Sequence, residues 1–143
     1  MKSSLISAYS STAQIFAKLS HGTRLKVGAI IVKDERIISI GYNGMPRGWD
    51  NCCETEIYIG DVAILETKSE VIHAESNCIS KLAKCHESGN GAVMFCTHSP
   101  CIDCAKLIYQ TGISHVYYGE LYRSSAGIDF LLQCGVPTTQ IQN

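Results

Sequence analysis

Apolar and polar positions along the first forty residues predict one helix followed by a β-hairpin. Residues 4–20 carry apolar side chains at spacings of three and four, which is typical of an amphipathic helix; they are Leu5, Ala8, Tyr9, Ala13, Phe16 and Ala17. We expect Gly22 to end this helix. Residues 27–32 form a nearly continuous apolar run, residues 33–35 turn the chain, and residues 36–40 return as the partner strand.

The segment from residue 41 to residue 72 carries weaker signals. Residues 41–48 are rich in glycine and predict a loop that leaves the edge of the sheet. Residues 57–65 could form a strand or an irregular segment, since no single period dominates there. No firm structure is therefore predicted for residues 49–72.

Helices and strands alternate after residue 73. A helix is predicted from His73 to about Glu87, a strand over residues 92–97, a helix that ends at Gly112, a strand over residues 114–119 and a last helix that ends at Gly135. Residues 136–141 could add an edge strand, because Pro137 cannot donate to a ladder. Such alternation predicts parallel pairing with right-handed crossovers, and the opening hairpin makes the sheet mixed. The predicted fold class is α/β, with a central mixed five-stranded sheet flanked by helices in one domain, residues 1–143.

Four residues at two predicted helix starts carry the candidate chemistry. His73 and Glu75 open one helix, and Cys101 and Cys104 open the next, with Pro100 expected in its first turn. One histidine and two cysteines leave the fourth position of a tetrahedral zinc ion open for water, as a catalytic site requires. Glu75 is a carboxylate that can move the protons of that water. Because a Cys-x-x-Cys pair alone also occurs in redox motifs and structural zinc sites, a structural zinc stays open as an alternative.

Composition and charge narrow the partners. The 143 residues carry 12 basic and 13 acidic side chains, a net charge of −1, so there is no basic excess to attract long nucleic acid. The chain shows no signal-peptide pattern and no apolar run near the ~20 residues of a membrane span, so we expect a cytoplasmic protein with no membrane partner. Its eight cysteines are then expected to be reduced. Core packing is predicted for Cys78, Cys85, Cys96 and Cys134, and solvated or structural positions for His21, His86, His98 and His115.

The paired His-x-Glu and Pro-Cys-x-x-Cys motifs are the pattern of zinc-dependent nucleobase deaminases. With them, the chain resembles the deoxycytidylate deaminases of the cytidine and deoxycytidylate deaminase superfamily. The resemblance is carried by residues 23–29, 41–44, 73–77 and 100–104. It implies a three-layer cytidine-deaminase-like fold and hydrolysis of dCMP to dUMP and ammonia, which supplies dUMP for thymidylate synthesis.

The resemblance also implies a role for each site residue. One zinc ion would be held by His73, Cys101 and Cys104, with Glu75 as the catalytic proton carrier. Asn43 would contact the deoxyribose, while backbone groups of Ala74 and Ser99 would hold the base. Arginine donates two parallel hydrogen bonds to phosphate oxygens, which suits it to the 5′-phosphate. The implied phosphate-binding residues are Ser20, Arg24, Tyr122 and Arg123.

Regulation and assembly are further implications of the resemblance. Gly41, Tyr42 and Gly44 belong to a loop that contributes, in that family, to a site where dCTP activates, with Mg²⁺ as a possible companion, and dTTP inhibits. Family members are usually homohexamers. Some viral members hold a second, structural zinc through a Cys-Cys segment and distant histidines. Cys52 and Cys53 are present here, but the 19 residues between Cys53 and His73 contain no histidine, so a second zinc is left open.

Two other functions compete with a nucleotide deaminase. One is a deaminase of cytidine, cytosine or an adenosine in tRNA, and the other is a non-catalytic, zinc-stabilised binding module. Glu75 favours an enzyme, because a structural zinc has no use for a buried acid beside it. The arginines favour a nucleotide over a nucleoside, and the charge balance disfavours RNA.

Overall fold

The computed structural model describes residues 1–142, which form four helices and seven strands. In chain order these are α1 (Ser3–Ala17), β1 (Gly28–Lys33), β2 (Arg36–Tyr42), β3 (Glu54–Ile59), β4 (Val62–Thr67), α2 (Ala74–Leu82), β5 (Val93–His98), α3 (Ile102–Thr111), β6 (His115–Glu120), α4 (Ala126–Gln133) and β7 (Thr138–Gln140).

Five strands make one mixed sheet in the order β2-β1-β5-β6-β7. Strand β1 pairs antiparallel with both β2 and β5, whereas β5 with β6 and β6 with β7 are parallel. The predicted mixed five-stranded sheet is thus confirmed. The last strand lies at the edge, where the missing N–H of Pro137 breaks no ladder, and it is shorter than predicted.

Helices cover both faces of this sheet and give three layers. On one face, Tyr9 and Ala13 of α1 pack on Ile30, Val32 and Phe95. On the other face α2, α3 and α4 pack on the alternate side chains of the same strands. This second cluster includes Ala29, Ile31, Cys78, Met94, Ala105, Ile108, Val116, Ile128 and Leu131. Because strand side chains alternate between faces, both sides of β1 and β5 are buried, and their sequences are apolar nearly throughout.

The turn between β1 and β2 uses the left-handed backbone region at two consecutive residues. Asp34 has φ of 49° and Glu35 has φ of 59°. A two-residue hairpin loop needs this conformation because it matches the right-handed twist of the strands. The conformation costs a residue with a Cβ about 1–2 kcal/mol, so this turn is formed against the preference of Glu35.

Two helices are shorter than predicted. Helix α1 ends at Ala17, and α2 ends at Leu82 rather than Glu87. Leu82 is the last residue of α2 that reaches the core. The backbone N–H groups of residues 83–85 donate to the carbonyl three residues earlier, which is the tighter pattern found at helix ends. Cys85 consequently lies exposed, so its predicted core position was wrong. Cys134, predicted to be buried in the core, is only partly buried.

Residues 54–67, for which no firm structure was predicted, form an antiparallel hairpin of β3 and β4 apart from the central sheet. Every residue of β4 is exposed, and β3 is largely exposed. With neither face buried, the strands need no alternation of apolar and polar side chains. The periodicity on which strand prediction rests is therefore missing.

The fold contains free cysteines and short helices. All eight cysteines lie within residues 1–142 and carry free thiols. Within the same residues, no helix combines the length and apolar character that a bilayer crossing would need.

Candidate active site

Two helix N-termini meet at the candidate metal centre. His73 is the N-cap residue of α2 and Cys101 is the N-cap residue of α3. The Cys101 Sγ accepts the backbone N–H of Cys104 at 3.5 Å, which satisfies one of the unpaired amides of the first turn. Pro100 therefore precedes the cap instead of lying in the first turn, and that detail of the prediction was wrong. The thiol caps the helix, so the helix begins one residue beyond it.

Three ligand atoms converge between these helix ends. The His73 Nδ1 lies 3.5 Å from the Cys101 Sγ and 3.5 Å from the Cys104 Sγ. Zinc–nitrogen and zinc–sulfur bonds at tetrahedral angles separate such atoms by about 3.6 Å. Within residues 1–142 these three form the single cluster of three potential metal ligands. Their spacing and chemistry fit a zinc ion with a fourth position open.

The same cluster is electrostatically prepared for a cation. The hydrogen bonds that Cys101 makes with Cys104 and with His73 lower the pKa of Cys101 to about 3. The Cys101 partner and burial raise the pKa of Cys104, and the contact with Cys101 raises the pKa of His73. Protons thus hold together a group of ligands that would otherwise repel one another, and a divalent cation can replace these protons.

Glu75 lies beside the cluster, in the first turn of α2. Only 4% of its surface is exposed, and its side chain lines the same pocket as His73 and Cys101. Burial raises the pKa of Glu75 to about 7. A carboxyl group with a pKa near neutrality can both accept and release a proton, which is the property that general acid–base chemistry needs.

A pocket opens above the cluster, and the structure brings to it all three predicted base and sugar residues and Tyr122 from the predicted phosphate-binding set. Asn43, Ala74, Ser99 and Tyr122 line it together with the residues of the metal cluster. The remaining walls come from residues that the sequence did not assign to substrate binding; these are Leu25, Val27, Cys53, Glu54, Thr67, Val71 and His98.

Asn43 is fixed in this pocket by two hydrogen bonds. Its Oδ1 accepts the backbone N–H of Val27 at 2.8 Å, and its Nδ2 donates to the carbonyl of Leu25 at 2.9 Å. The amide therefore braces the chain that enters β1 while it lines the pocket.

A groove next to the pocket collects the predicted phosphate-binding side chains. Arg24, Tyr122 and Arg123 all line it, and the Arg123 guanidinium carbon lies 5.6 Å from the centroid of the Tyr122 ring. The Arg24 Nη1 donates to the Thr67 Oγ1 at 3.2 Å. Ser20 is placed differently: it is buried, its Oγ accepts the Gly22 N–H at 3.1 Å, and it lines neither the pocket nor the groove.

Glu54 positions the loop that carries Arg24. Its Oε1 accepts the backbone N–H groups of Thr23 at 2.8 Å and Arg24 at 3.0 Å. The β3–β4 hairpin thus contributes a wall to the pocket and also holds one side of the groove.

Gly41 and Tyr42 are the last residues of β2, so the loop predicted over residues 41–48 begins only after Tyr42; the segment of Gly41, Tyr42 and Gly44 packs against α2. A Cβ on Gly41 would lie 2.7 Å from the backbone nitrogen of Cys78, so only glycine lets the strand approach the helix. The Tyr42 carbonyl accepts from the Asn77 Nδ2 at 3.1 Å, and Gly44 exchanges two backbone hydrogen bonds with Ile72. These contacts fix the segment against α2 and Ile72, and its regulatory role stays a prediction.

Cys52 and Cys53 differ in their surroundings. Cys52 is exposed, whereas Cys53 is buried, lines the pocket and places its Sγ 3.5 Å from the Asn51 carbonyl. Burial raises the pKa of Cys53. Neither residue belongs to the metal-ligand cluster found in residues 1–142.

The chain is similar to known proteins over most of its length. The family model for the cytidine and deoxycytidylate deaminase zinc-binding region matches residues 3–120. The chain belongs to this family. The dCMP deaminase of cyanophage S-TIM5, crystallised with dCMP and dUMP, superposes with a TM-score of 0.89 at 44% identity, and the match covers 99% of both chains. The three-layer deaminase fold predicted from the motifs is confirmed by this superposition.

Two curated members of the family are also similar to this chain. The deoxycytidylate deaminase of Enterobacteria phage T4 is 37% identical over 76% of this chain and 74% of the phage protein. The deoxycytidylate deaminase of Saccharomyces cerevisiae is 35% identical over 86% of this chain but only 40% of the yeast protein. The chain therefore spans less than half the length of the yeast relative.

Glu54, Thr67 and His98 are the polar pocket residues that sequence reasoning missed. His98 ends β5, and residues at the carboxyl ends of parallel strands are where ligands bind in open α/β sheets, so its position was an available signal. Glu54 and Thr67 carried no such signal, because their hairpin lies outside the central sheet.

Proposed function

We propose that this protein is a zinc-dependent hydrolase that converts dCMP to dUMP and ammonia. One observation carries the proposal: the pocket above the metal cluster and Glu75 shares four lining residues with a groove lined by two arginines. The pocket suits a cytosine ring, and the groove suits a 5′-phosphate. The similarity to dCMP deaminases from two phages supports the same substrate.

Zinc held by His73, Cys101 and Cys104 would supply a hydroxide equivalent from water near neutral pH. Glu75 accepts a proton from the attacking water and delivers it to N3 of the cytosine ring. This makes C4 more electrophilic, and the bond between the water oxygen and C4 forms. Glu75 then takes the proton of the new C4 hydroxyl and passes it to the amino group, the C4–N bond breaks as the C4 carbonyl forms, and ammonia leaves dUMP behind.

Backbone and side-chain groups orient the substrate in this scheme. Ala74 is the first residue of α2, so its N–H has no acceptor within the helix and is available to the base O2. The Ser99 carbonyl accepts from the amino group, and Asn43 contacts the deoxyribose. Arg24 and Arg123 hold the phosphate, with Tyr122 beside them.

The direct test is release of ammonia from a panel of substrates. Purified protein loaded with zinc is offered dCMP, CMP, dCTP, deoxycytidine, cytidine and cytosine, with a tRNA adenosine substrate as a separate arm. Turnover of dCMP well above that of deoxycytidine supports the proposal. Preference for a nucleoside, a free base or the tRNA would assign a different deaminase, and no turnover with any substrate would favour a zinc-stabilised binding module.

Regulation, assembly and cellular location are also part of the proposed function. The protein supplies dUMP for thymidylate synthesis in the cytoplasm, where its free thiols persist, and forms homohexamers activated by dCTP with Mg²⁺ and inhibited by dTTP. The loop of residues 41–44 supports the effector site by its resemblance. Exposed apolar side chains of the β3–β4 hairpin support association; they are Tyr58, Ile59, Val62 and Leu65. Light scattering tests assembly, and dCMP saturation curves with and without each effector test regulation.

A further inference from the structure

His98 occupies the junction between the pocket and the groove. Four residues line both spaces: Leu25, Thr67, His98 and Tyr122. A ligand that reaches from the metal cluster to the two arginines must pass these side chains. Beyond the sugar, the acceptors that a nucleotide presents along this route are its phosphate oxygens. The chemistry that His98 presents at this point therefore bears on which ligands are accepted.

The Thr97 hydroxyl, which accepts from Gly28, is the partner of one nitrogen of the His98 ring. The backbone N–H of Gly28 donates to the Thr97 Oγ1 at 3.1 Å, and this Oγ1 lies 2.9 Å from the His98 Nδ1. Since the Gly28 N–H uses a lone pair of the hydroxyl, the hydroxyl proton is free to point to Nδ1. Nδ1 is then the acceptor, and a neutral ring carries its proton on Nε2.

The Nε2 atom has no close partner in residues 1–142. The nearest carboxylate oxygen, Glu120 Oε2, lies 3.7 Å away, beyond hydrogen-bond distance, and the Glu120 side chain is 80% exposed. The imidazole itself is only 15% exposed. Burial lowers the pKa of His98, which favours the neutral ring. A half-buried donor is thus left facing the route that a nucleotide would take.

We infer that His98 is a specificity-determining residue, which donates its Nε2–H to a phosphate oxygen of the bound nucleotide. The inference rests on the proposed nucleotide substrate. Arg24 and Arg123 supply charge from the far side of the groove, whereas His98 supplies a directional donor beside the base pocket. A nucleoside lacks the phosphate oxygens and gains less from this donor.

Three substitutions at one position separate hydrogen bonding from packing. The amide nitrogen of His98→Gln reaches roughly the position of Nε2, that of His98→Asn reaches the position of Nδ1, and His98→Phe keeps a ring without a donor. His98→Phe and His98→Asn should lower kcat/KM for dCMP about ten- to a hundred-fold, the range for a hydrogen bond to a charged group, with little change for deoxycytidine. His98→Gln should restore most of the loss.

Glu120→Gln is the matched control, because Glu120 is the alternative partner of Nε2. It should leave dCMP use unchanged or improved, since a negative charge near the phosphate is removed. If Glu120→Gln instead reproduced the His98→Phe loss, the role of His98 would lie in its contact with Glu120, and the inference would be overturned. Equal losses on dCMP and deoxycytidine in His98→Phe would also overturn it.

Binding of the product keeps this test independent of turnover. Calorimetric titration of dUMP and deoxyuridine into wild-type and His98→Phe protein of equal zinc content should show weaker binding of dUMP alone. If the wild-type protein bound dUMP but did not deaminate dCMP, the proposed function would fail. The role of His98 would still be tested by comparing the dUMP affinities of the wild-type and His98→Phe proteins. Unchanged dUMP affinity in His98→Phe would reject the inference alone, and a wild-type protein that bound no dUMP would reject both.

Discussion

The backbone N–H of Tyr122 donates a 2.7 Å hydrogen bond to the Oγ of Ser99, which ties the arginine-bearing loop to the loop that leads into Cys101. A second bond, from the Ser99 N–H to the Glu120 carbonyl at 2.8 Å, continues the parallel ladder of β5 and β6 beyond the strand ends. The position of the groove is thus set directly by the position of the metal cluster. A nucleotide that spans the two spaces meets a fixed distance between them.

Ser99→Ala should weaken this connection. The Tyr122 N–H loses its acceptor, which should cost about 1 kcal/mol of unfolding free energy and raise the KM for dCMP more than that for deoxycytidine. Denaturant unfolding and steady-state kinetics measure the two effects. Ser114→Ala is the control, because the Ser114 Oγ donates to two carbonyls at the opposite end of β6. Its stability cost should be similar and its KM normal; a matching rise in KM would show that general destabilisation is responsible.

Cys101→Ala should lose most of the bound zinc. It removes a ligand and also the acceptor that caps α3, so metal affinity and local helix order should fall together. Metal analysis after dialysis gives the zinc content. Cys134→Ala, at the end of α4 and outside the cluster, should keep one zinc per chain. Full zinc retention in Cys101→Ala would refute the ligand assignment.

Glu75→Gln should separate chemistry from metal binding. The amide keeps the size of the side chain but cannot carry protons, so turnover should fall by at least the ~10²–10⁴ that general acid–base catalysis supplies. Zinc content and dUMP binding should persist. Asp103→Asn, an exposed acid in the first turn of α3, serves as control and should stay active. Near-normal turnover of Glu75→Gln would exclude Glu75 as the proton carrier.

Arg123→Ala should impair nucleotide use selectively. Loss of a charge-assisted hydrogen bond costs ~1.5–3 kcal/mol, which predicts a ten- to hundred-fold drop in kcat/KM for dCMP with little effect on deoxycytidine. Ammonia release from both substrates measures the ratio. Arg36→Ala removes an equal charge from an exposed ion pair with Glu87, remote from the groove in the fold, and should change neither rate. A drop on both substrates in Arg123→Ala would instead indicate a structural role.

The double substitution Asp34→Asn/Glu35→Gly should stabilise the fold. Asn-Gly is the preferred sequence for a two-residue turn with positive φ at both positions, and relief of the left-handed strain should add about 1 kcal/mol. Denaturant unfolding tests this, with unchanged kinetics expected because the turn lies far along the chain from the metal ligands. The hydrogen bond from the Tyr9 hydroxyl to the Glu35 carbonyl uses only the backbone of residue 35 and should survive. A fall in stability would show that the native side chains make contacts worth more than the strain.

The sequence predicted most of the central sheet and the metal cluster for a shared physical reason. Strands such as β1 and β5 are buried on both faces, so their apolar runs stand out. His73 and Cys101 stand at helix starts, which local sequence marks well. Prediction was poorer where tertiary contacts decide the ends of an element. Helix α2 ends at Leu82 because its contact with the apolar core ends there, and no glycine or proline marks that position in the sequence.

The pocket walls were predictable only in part. Asn43, Ser99 and Tyr122 follow strands of the central sheet and could be placed at one rim by topology. Glu54 and Thr67 reach the pocket from a hairpin without a buried face, and their side chains bond to Arg24 across 30 and 43 residues of sequence separation. Contacts of this kind leave no periodic trace. Ser20 was carried over by resemblance, and its burial against Gly22 follows from a local turn that the pattern did not indicate.

The site is built from two separate parts of the fold, the helices packed on the central sheet and the β3–β4 hairpin. The ligands and Glu75 are set by helices packed on the sheet, while one wall of the pocket is set by a ribbon that pairs with itself. Substitutions in the β3–β4 hairpin should therefore leave the positions of the metal ligands unchanged. Exchange of residues 54–67 offers a route to re-engineer which ligand fits, with the reacting centre left intact.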